Sequence, residues 1–266
     1  MKLCIIGNSH AACLKKAWDL GAAAGSGRSV QFFVSSGGSM QETAVRGGGI
    51  VGVSETVSRS FALTSGGSEA MVPGDHDAIL VHGLTNELSK LVMIRQRVEA
   101  LDGHSRGFLA NAVVYNKLSG NHVLGLLESL RPAVPVLVSG RPNPAGETDD
   151  ASPGLADAWA AEQDALSGLF ASLGVVHVQQ PLETLETMDA TRHRFSIGSV
   201  GIGSDPTREG YRSKRTPDGQ HMNADYGALV LERVFTLAEA AAGPVAAPKR
   251  GSAKAAPKRA PVKKAS

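Results

Sequence analysis

The sequence predicts an α/β protein, a three-layer α/β/α sandwich around a flavodoxin-like parallel sheet of about five strands. Three observations carry this. Apolar runs of four to seven residues recur at 2–6, 29–35, 77–82, 135–139 and 175–178. Helically spaced stretches alternate with them, as β–α–β units require. The first four runs end in short Gly, Ser or Asn turns, where the carboxyl edge of a parallel sheet presents its loops. With 266 residues, 42% of them hydrophobic, the chain can bury one sizeable core, while 31 Gly and 5% aromatics favour many turns over bulky packing.

The elements follow in order. Leu3 to Ile6 is a buried strand, punctuated by Gly7 and Asn8, and a helix at about 10–24 places Ala11, Leu14, Ala17 and Trp18 on one side. Ser29 to Ser35 is rich in β-formers and runs into the tight turn Ser36-Gly37-Gly38-Ser39. Residues 47–74, with apolar positions alternating among Gly, Ser and Thr, read as a β-hairpin-like insertion or ordered loop. Asp77 to His82 is the third core strand, ending at Gly83-Leu84-Thr85-Asn86. Helices are expected at 87–101 and 106–130, with a break near Gly120. Pro135 to Ser139 is the fourth strand, leading into the rigid loop Gly140-Arg141-Pro142-Asn143-Pro144-Ala145-Gly146. An amphipathic helix covers 156–173, a fifth strand 175–178, an irregular loop 189–220 and a last helix 223–242.

Two stretches carry chemistry. Ser9 sits where a strand turns into a helix, so its hydroxyl is presented at the sheet edge beside helix N–H groups that stabilise an oxyanion. The plain alternative is an N-cap. Near the other end, Asp218 and His221 stand three apart ahead of the last helix. That spacing lets a carboxylate hold an imidazole, which then takes a proton from a nucleophile. Taken alone, Asp218 reads equally as a helix cap.

Together these blocks resemble the SGNH (GDSL-type) hydrolase family. Gly7-Asn8-Ser9-His10 stands for its Gly-Asp-Ser turn after the first strand, with Asn8 in place of the usual Asp. Gly37 or Gly38 follows the second strand, Gly83-Leu84-Thr85-Asn86 loosely matches the Gly-x-Asn block, and Asp218-Gly219-Gln220-His221 matches the Asp-x-x-His block. The blocks span residues 7–221 in the family's order. The resemblance implies a triad of Ser9, His221 and Asp218, and an oxyanion hole from the Ser9 N–H, the Gly37 N–H and the Asn86 side chain. One such donor is worth on the order of 3 kcal/mol in the transition state. The implied substrate is an O-acyl ester on a carbohydrate or other small molecule, and this chemistry needs no metal or cofactor. The Ser-His pair is also similar to SGNH modules attached to sugar O-acyltransferases. A third reading keeps the fold as a catalytically weak binding module.

Several residues have two readings. His10 touches substrate or simply completes the first turn. His82 ends a strand at the implied pocket. Arg141 binds an anionic substrate group or braces its loop. His76, His104, His122, His177 and His193 have no partner pattern, and Trp18 and Trp159 read as core. Cys4 and Cys13 read as buried thiols rather than a disulfide, and no zinc spacing is present.

Charge divides the chain into a body, 1–243, and a tail, 244–266. The tail holds seven Lys/Arg and no acid, so the whole chain's +2 less these seven leaves −5 for the body. Lacking bulky apolar residues, the tail reads as disordered. Its chemistry fits either contact with nucleic acid or another polyanion, or a solvated extension. No signal-peptide pattern opens the chain, and no apolar run approaches the roughly 18 residues of a membrane helix. A cytoplasmic protein with no membrane partner is therefore expected.

Overall fold

The computed structural model describes residues 1–25, 27–85, 93, 97, 112–113, 120–202, 211–213 and 219–242. Most of the helix expected at 87–101, the stretches 106–111 and 114–119 of that expected at 106–130, Asn86, His104, Asp218 and the tail lie outside the described residues.

The first half of the chain forms β1 (Lys2–Gly7), α1 (Ala12–Asp19), β2 (Ser29–Val34), β3 (Thr43–Arg46), β4 (Gly49–Gly52), α2 (Glu55–Ser65), β5 (Ala70–Met71) and β6 (Ala78–His82). The second half forms α3 (His122–Leu130), β7 (Val136–Ser139), α4 (Leu155–Ser172), β8 (Val176–His177), β9 (Val200–Ile202), β10 (Tyr211–Ser213) and α5 (Ala224–Ala242). The central sheet has five strands, all parallel, in the order β2-β1-β6-β7-β8. Counting only these strands, the order is 2-1-3-4-5, the flavodoxin-like winding. The connection after β1 runs to β2 on one side, and that after β6 runs to β7 on the other. The crevice at the carboxyl ends of β1 and β6 is thus the topological switch point, where open α/β sheets bind ligands.

Both faces of the sheet are covered, so its strands are apolar throughout. Cys4 and Ile6 of β1, Phe33 of β2, Ile79 and Val81 of β6 and Val138 of β7 pack with α2, α3 and α4. The alternate residues Leu3, Ile5, Phe32, Val34, Leu80 and Leu137 pack with α1 and α5. The period of two in a strand sends neighbouring side chains to opposite layers.

Two local expectations are corrected. The first helix does not run from 10 to 24. Residues Ser9–Ala11 form a 3-10 turn, α1 ends at Asp19, and Gly21 follows with a left-handed φ of 87°. Beyond Trp18 the chain offers mostly Gly and Ala, with Leu20 67% exposed, so no large apolar side chain holds a further turn against the core. The 47–74 segment contains a hairpin, but also a helix. The hairpin pairs β3 with β4 through Gly47-Gly48, whose φ values of 58° and 80° suit a two-residue turn, and β5 adds a third strand. The helix is α2. Ser54 accepts the Val57 N–H at 3.4 Å, and Val57, Phe61 and Thr64 are buried at a spacing of four and three.

Candidate active site

The site grows from the end of β1. At Gly7 the backbone of β6 passes so near that a Cβ would meet the His82 carbonyl oxygen at 2.5 Å, which only glycine tolerates. Asn8 follows, buried at 4% exposure. Its Oδ1 accepts the His10 N–H at 3.1 Å, and its Nδ2 donates to the Gly83 carbonyl at 2.7 Å. The acceptor-only carbonyl and the donor-only N–H fix the orientation of the amide. Gly83 allows this clamp by its left-handed φ of 71°. Ser9 then opens the 3-10 turn and is half-buried.

His221 comes from the opposite end of the chain. It lies just ahead of α5, whose N-terminus is tied by Asn223. The Asn223 Oδ1 accepts the Tyr226 N–H at 3.1 Å, while Nδ2 donates to the carbonyls of Arg194 and Ile197 at 2.9 and 3.0 Å. Between the two residues, Met222 is buried in the core. Gly227 lets α5 lie directly on α1, where a Cβ would meet the Cys13 carbonyl oxygen at 2.2 Å. Together these contacts bring His221 Nε2 to 3.0 Å from Ser9 Oγ, across 212 positions of sequence. With the ring proton on Nδ1, the serine O–H donates to Nε2. This is the geometry that a nucleophile and a general base require.

Two more histidines surround this pair. The His10 ring stacks on His221, with centroids 4.8 Å apart and planes 13° from parallel. Its Nδ1 is buried without a hydrogen-bond partner among the described residues. Burial, with help from the His221, His82 and Arg141 charges, pushes the His10 pKa down to about 3. His82 is wholly buried, neither ring nitrogen has a partner among the described residues, and burial pushes it down to about 4. Both rings are therefore neutral near pH 7. His10 presents an uncharged flat face to His221 instead of competing with it for a proton.

Of the residues expected in the site, Ser9 and His221 meet. Gly37 begins a 3-10 turn, Gly37–Gln41, directly after β2, and the space where its Cβ would be is open. Ser35 N–H donates to Gly7 O at 3.2 Å, so Gly37 lies on the same carboxyl edge as Ser9. First-turn N–H groups have no intrahelical partner and suit a waiting oxyanion. Asn86 and Asp218 fall outside the described residues. His10 lies in the first turn, as one of its two readings had it, and also stacks on His221, which the sequence does not show. The only signal was its place next to the serine, because the stacking partner lies at the far end of the chain.

His177, His122, Trp159 and Trp18 have structural surroundings. His177 stacks on Phe170 at 4.3 Å, His122 Nε2 lies 2.9 Å from the Thr43 carbonyl, Trp159 is buried, and Trp18 leans on Phe235. Cys4 and Cys13 are free, buried thiols, and burial pushes the Cys13 pKa up to about 12, which keeps it an unreactive thiol. Among the described residues no group of three or more His, Cys, Asp or Glu could hold a metal ion, and no helix is long and apolar enough to cross a membrane.

No family model matches the chain, and no curated protein matches it. Among solved structures, an extracellular lipase from Streptomyces rimosus is similar with a TM-score of 0.41 and 14% identity, covering 90% of this chain and 100% of that one. That activity belongs to the Streptomyces enzyme. What the present chain does must be read from its own side chains.

Proposed function

We propose that this protein is a serine hydrolase that cleaves an O-acyl ester on a carbohydrate or another small molecule. The observation that carries this reading is the 3.0 Å approach of His221 Nε2 to Ser9 Oγ at the switch point of the sheet. His221 takes the Ser9 proton as Oγ attacks the acyl carbonyl. The tetrahedral oxyanion is received by the N–H groups of Ser9 and Gly37 and by Asn86. The imidazolium returns its proton to the leaving alcohol oxygen as the ester C–O bond breaks, leaving an acyl-serine. Water, deprotonated by the same imidazole, then releases the acid and restores Ser9. Asp218 holds the Nδ1–H of His221 and balances the charge that forms there.

The test is covalent and direct. A fluorophosphonate probe should label the folded protein at Ser9, and turnover of 4-nitrophenyl acetate should fall to background in Ser9→Ala. The His221→Ala variant should lose on the order of a thousandfold or more in kcat. Full turnover by Ser9→Ala would overturn the reading.

A further inference from the structure

Arg141 stands at the carboxyl end of β7, beside the crevice. Its Nε donates to the Gly83 carbonyl at 3.3 Å, the same oxygen that takes the Asn8 amide at 2.7 Å. One carbonyl thus links the guanidinium to the residue next to Ser9. The backbone around Arg141 is fixed. Its N–H donates to the Thr85 carbonyl at 3.4 Å, and Pro142 and Asn143 behind it are buried. Asn143 is pinned at three points. Its N–H donates to Gln180 Oε1 at 2.9 Å, its Nδ2 donates to the Met188 carbonyl at 3.1 Å, and its own carbonyl accepts the Thr191 hydroxyl at 2.7 Å. The arginine itself is exposed, and among the described residues no carboxylate pairs with it. Among the described residues the guanidinium is held by Nε alone, and two terminal nitrogens left as a fork have the geometry that receives a carboxylate in bidentate fashion.

Bracing accounts for one nitrogen and, among the described residues, leaves the fork unexplained. Resting on the hydrolase reading above, we infer that Arg141 is the specificity determinant of the site and that the substrate ester carries a carboxylate close to its scissile bond. A single fixed cation matches a single negative charge. The neighbouring His10 and His82 rings are neutral near pH 7, so a doubly charged phosphate would find no second cation among the described side chains there. The carboxylate sits on the acyl side or on the alcohol side of the ester, and paired substrates separate the two.

The experiment compares kcat/KM for 4-nitrophenyl hemisuccinate against 4-nitrophenyl butyrate, and for 3-carboxyphenyl acetate against phenyl acetate. Each charged-to-neutral ratio is measured in the wild type, Arg141→Gln and Arg141→Lys. Differences in intrinsic ester reactivity cancel between enzymes. In one pair the ratio should fall roughly tenfold to a hundredfold in Arg141→Gln, the range for a lost charge-assisted hydrogen-bond pair. Arg141→Lys should fall between, because it keeps the charge and loses the fork. The affected pair shows which side of the ester is read. If the probe labels the wild type but Arg141→Gln leaves both ratios unmoved, Arg141 is only a brace and the inference fails while the hydrolase reading stands. If the wild type neither reacts with the probe nor turns over any ester, the hydrolase reading fails and takes the inference with it.

Discussion

Asn8 does with one side chain what no carboxylate can do at that spot. Its Nδ2 donates to a carbonyl at 2.7 Å and its Oδ1 accepts an N–H at 3.1 Å, both from the backbone that frames Ser9. An ionised Asp would set a second oxygen against the Gly83 carbonyl in a buried position. Asn8→Asp should therefore destabilise the fold by roughly 1–3 kcal/mol at neutral pH, the cost of a buried unmet acceptor. The introduced carboxyl has its folded-state pKa raised above the ordinary Asp value of about 3.9, so the penalty is full above that raised pKa, shrinks as the pH falls through it and is gone below about pH 4. Urea denaturation of variant and wild type across that range checks this, and a variant as stable as the wild type at neutral pH would refute it. The resemblance to the Gly-Asp-Ser turn located the serine but could not show why this chain departs from it. The reason lies in Gly83, 75 positions away. Ser9 and His221, which the structure brings together, could be picked out because each stands in a short local pattern. The stacking of His10 on His221 could not, because it has no local signature.

At the scale of elements, the contact of α1 with α5 positions the site. α1 carries the turn that holds Ser9, and α5 carries the segment that holds His221. Gly227 sits where they cross. Gly227→Ala would place a methyl group 2.2 Å from the Cys13 carbonyl, so the helices must separate. The expected cost is about 1–3 kcal/mol of stability, as for other overpacked contacts. Esterase turnover should fall with it, since the Ser9–His221 hydrogen bond spans the shifted pair. Melting temperature and 4-nitrophenyl acetate turnover measure the two effects. An unchanged melting temperature would show that the helices yield freely. The five core strands could be read from composition because a parallel sheet buried on both faces spells continuous apolar runs. The helix α2 could not, because its Ser- and Thr-rich sequence has modest helix propensity and is held by Val57 and Phe61 packing on the sheet.

For the whole molecule, buried imidazoles set the response to acid. His10, His82 and His177 have pKa values pushed down to about 3, about 4 and about 4 from an ordinary 6.5, in each case mainly by burial. Below pH 6.5 the unfolded chain takes up protons that the folded protein refuses. Stability is thus fully present above that pH and is lost as the pH falls toward about 4, by up to about 1.4 kcal/mol per pH unit for each group. Urea unfolding at about pH 7 and about pH 5 should show this decline. His82→Phe, which removes one titrating ring, should make it shallower. A variant slope equal to that of the wild type would remove His82 from the account.

The contact between Ser9 and His221 joins the first strand to the approach of the last helix. It fixes when, as well as where, the site exists. During synthesis Ser9 leaves the ribosome first and stays without His221 until nearly all of the body has been made. A growing chain, or a fragment cut anywhere between them and separated, holds half of the pair. On the proposed hydrolase reading, ester turnover is therefore an end-to-end readout of a completed fold.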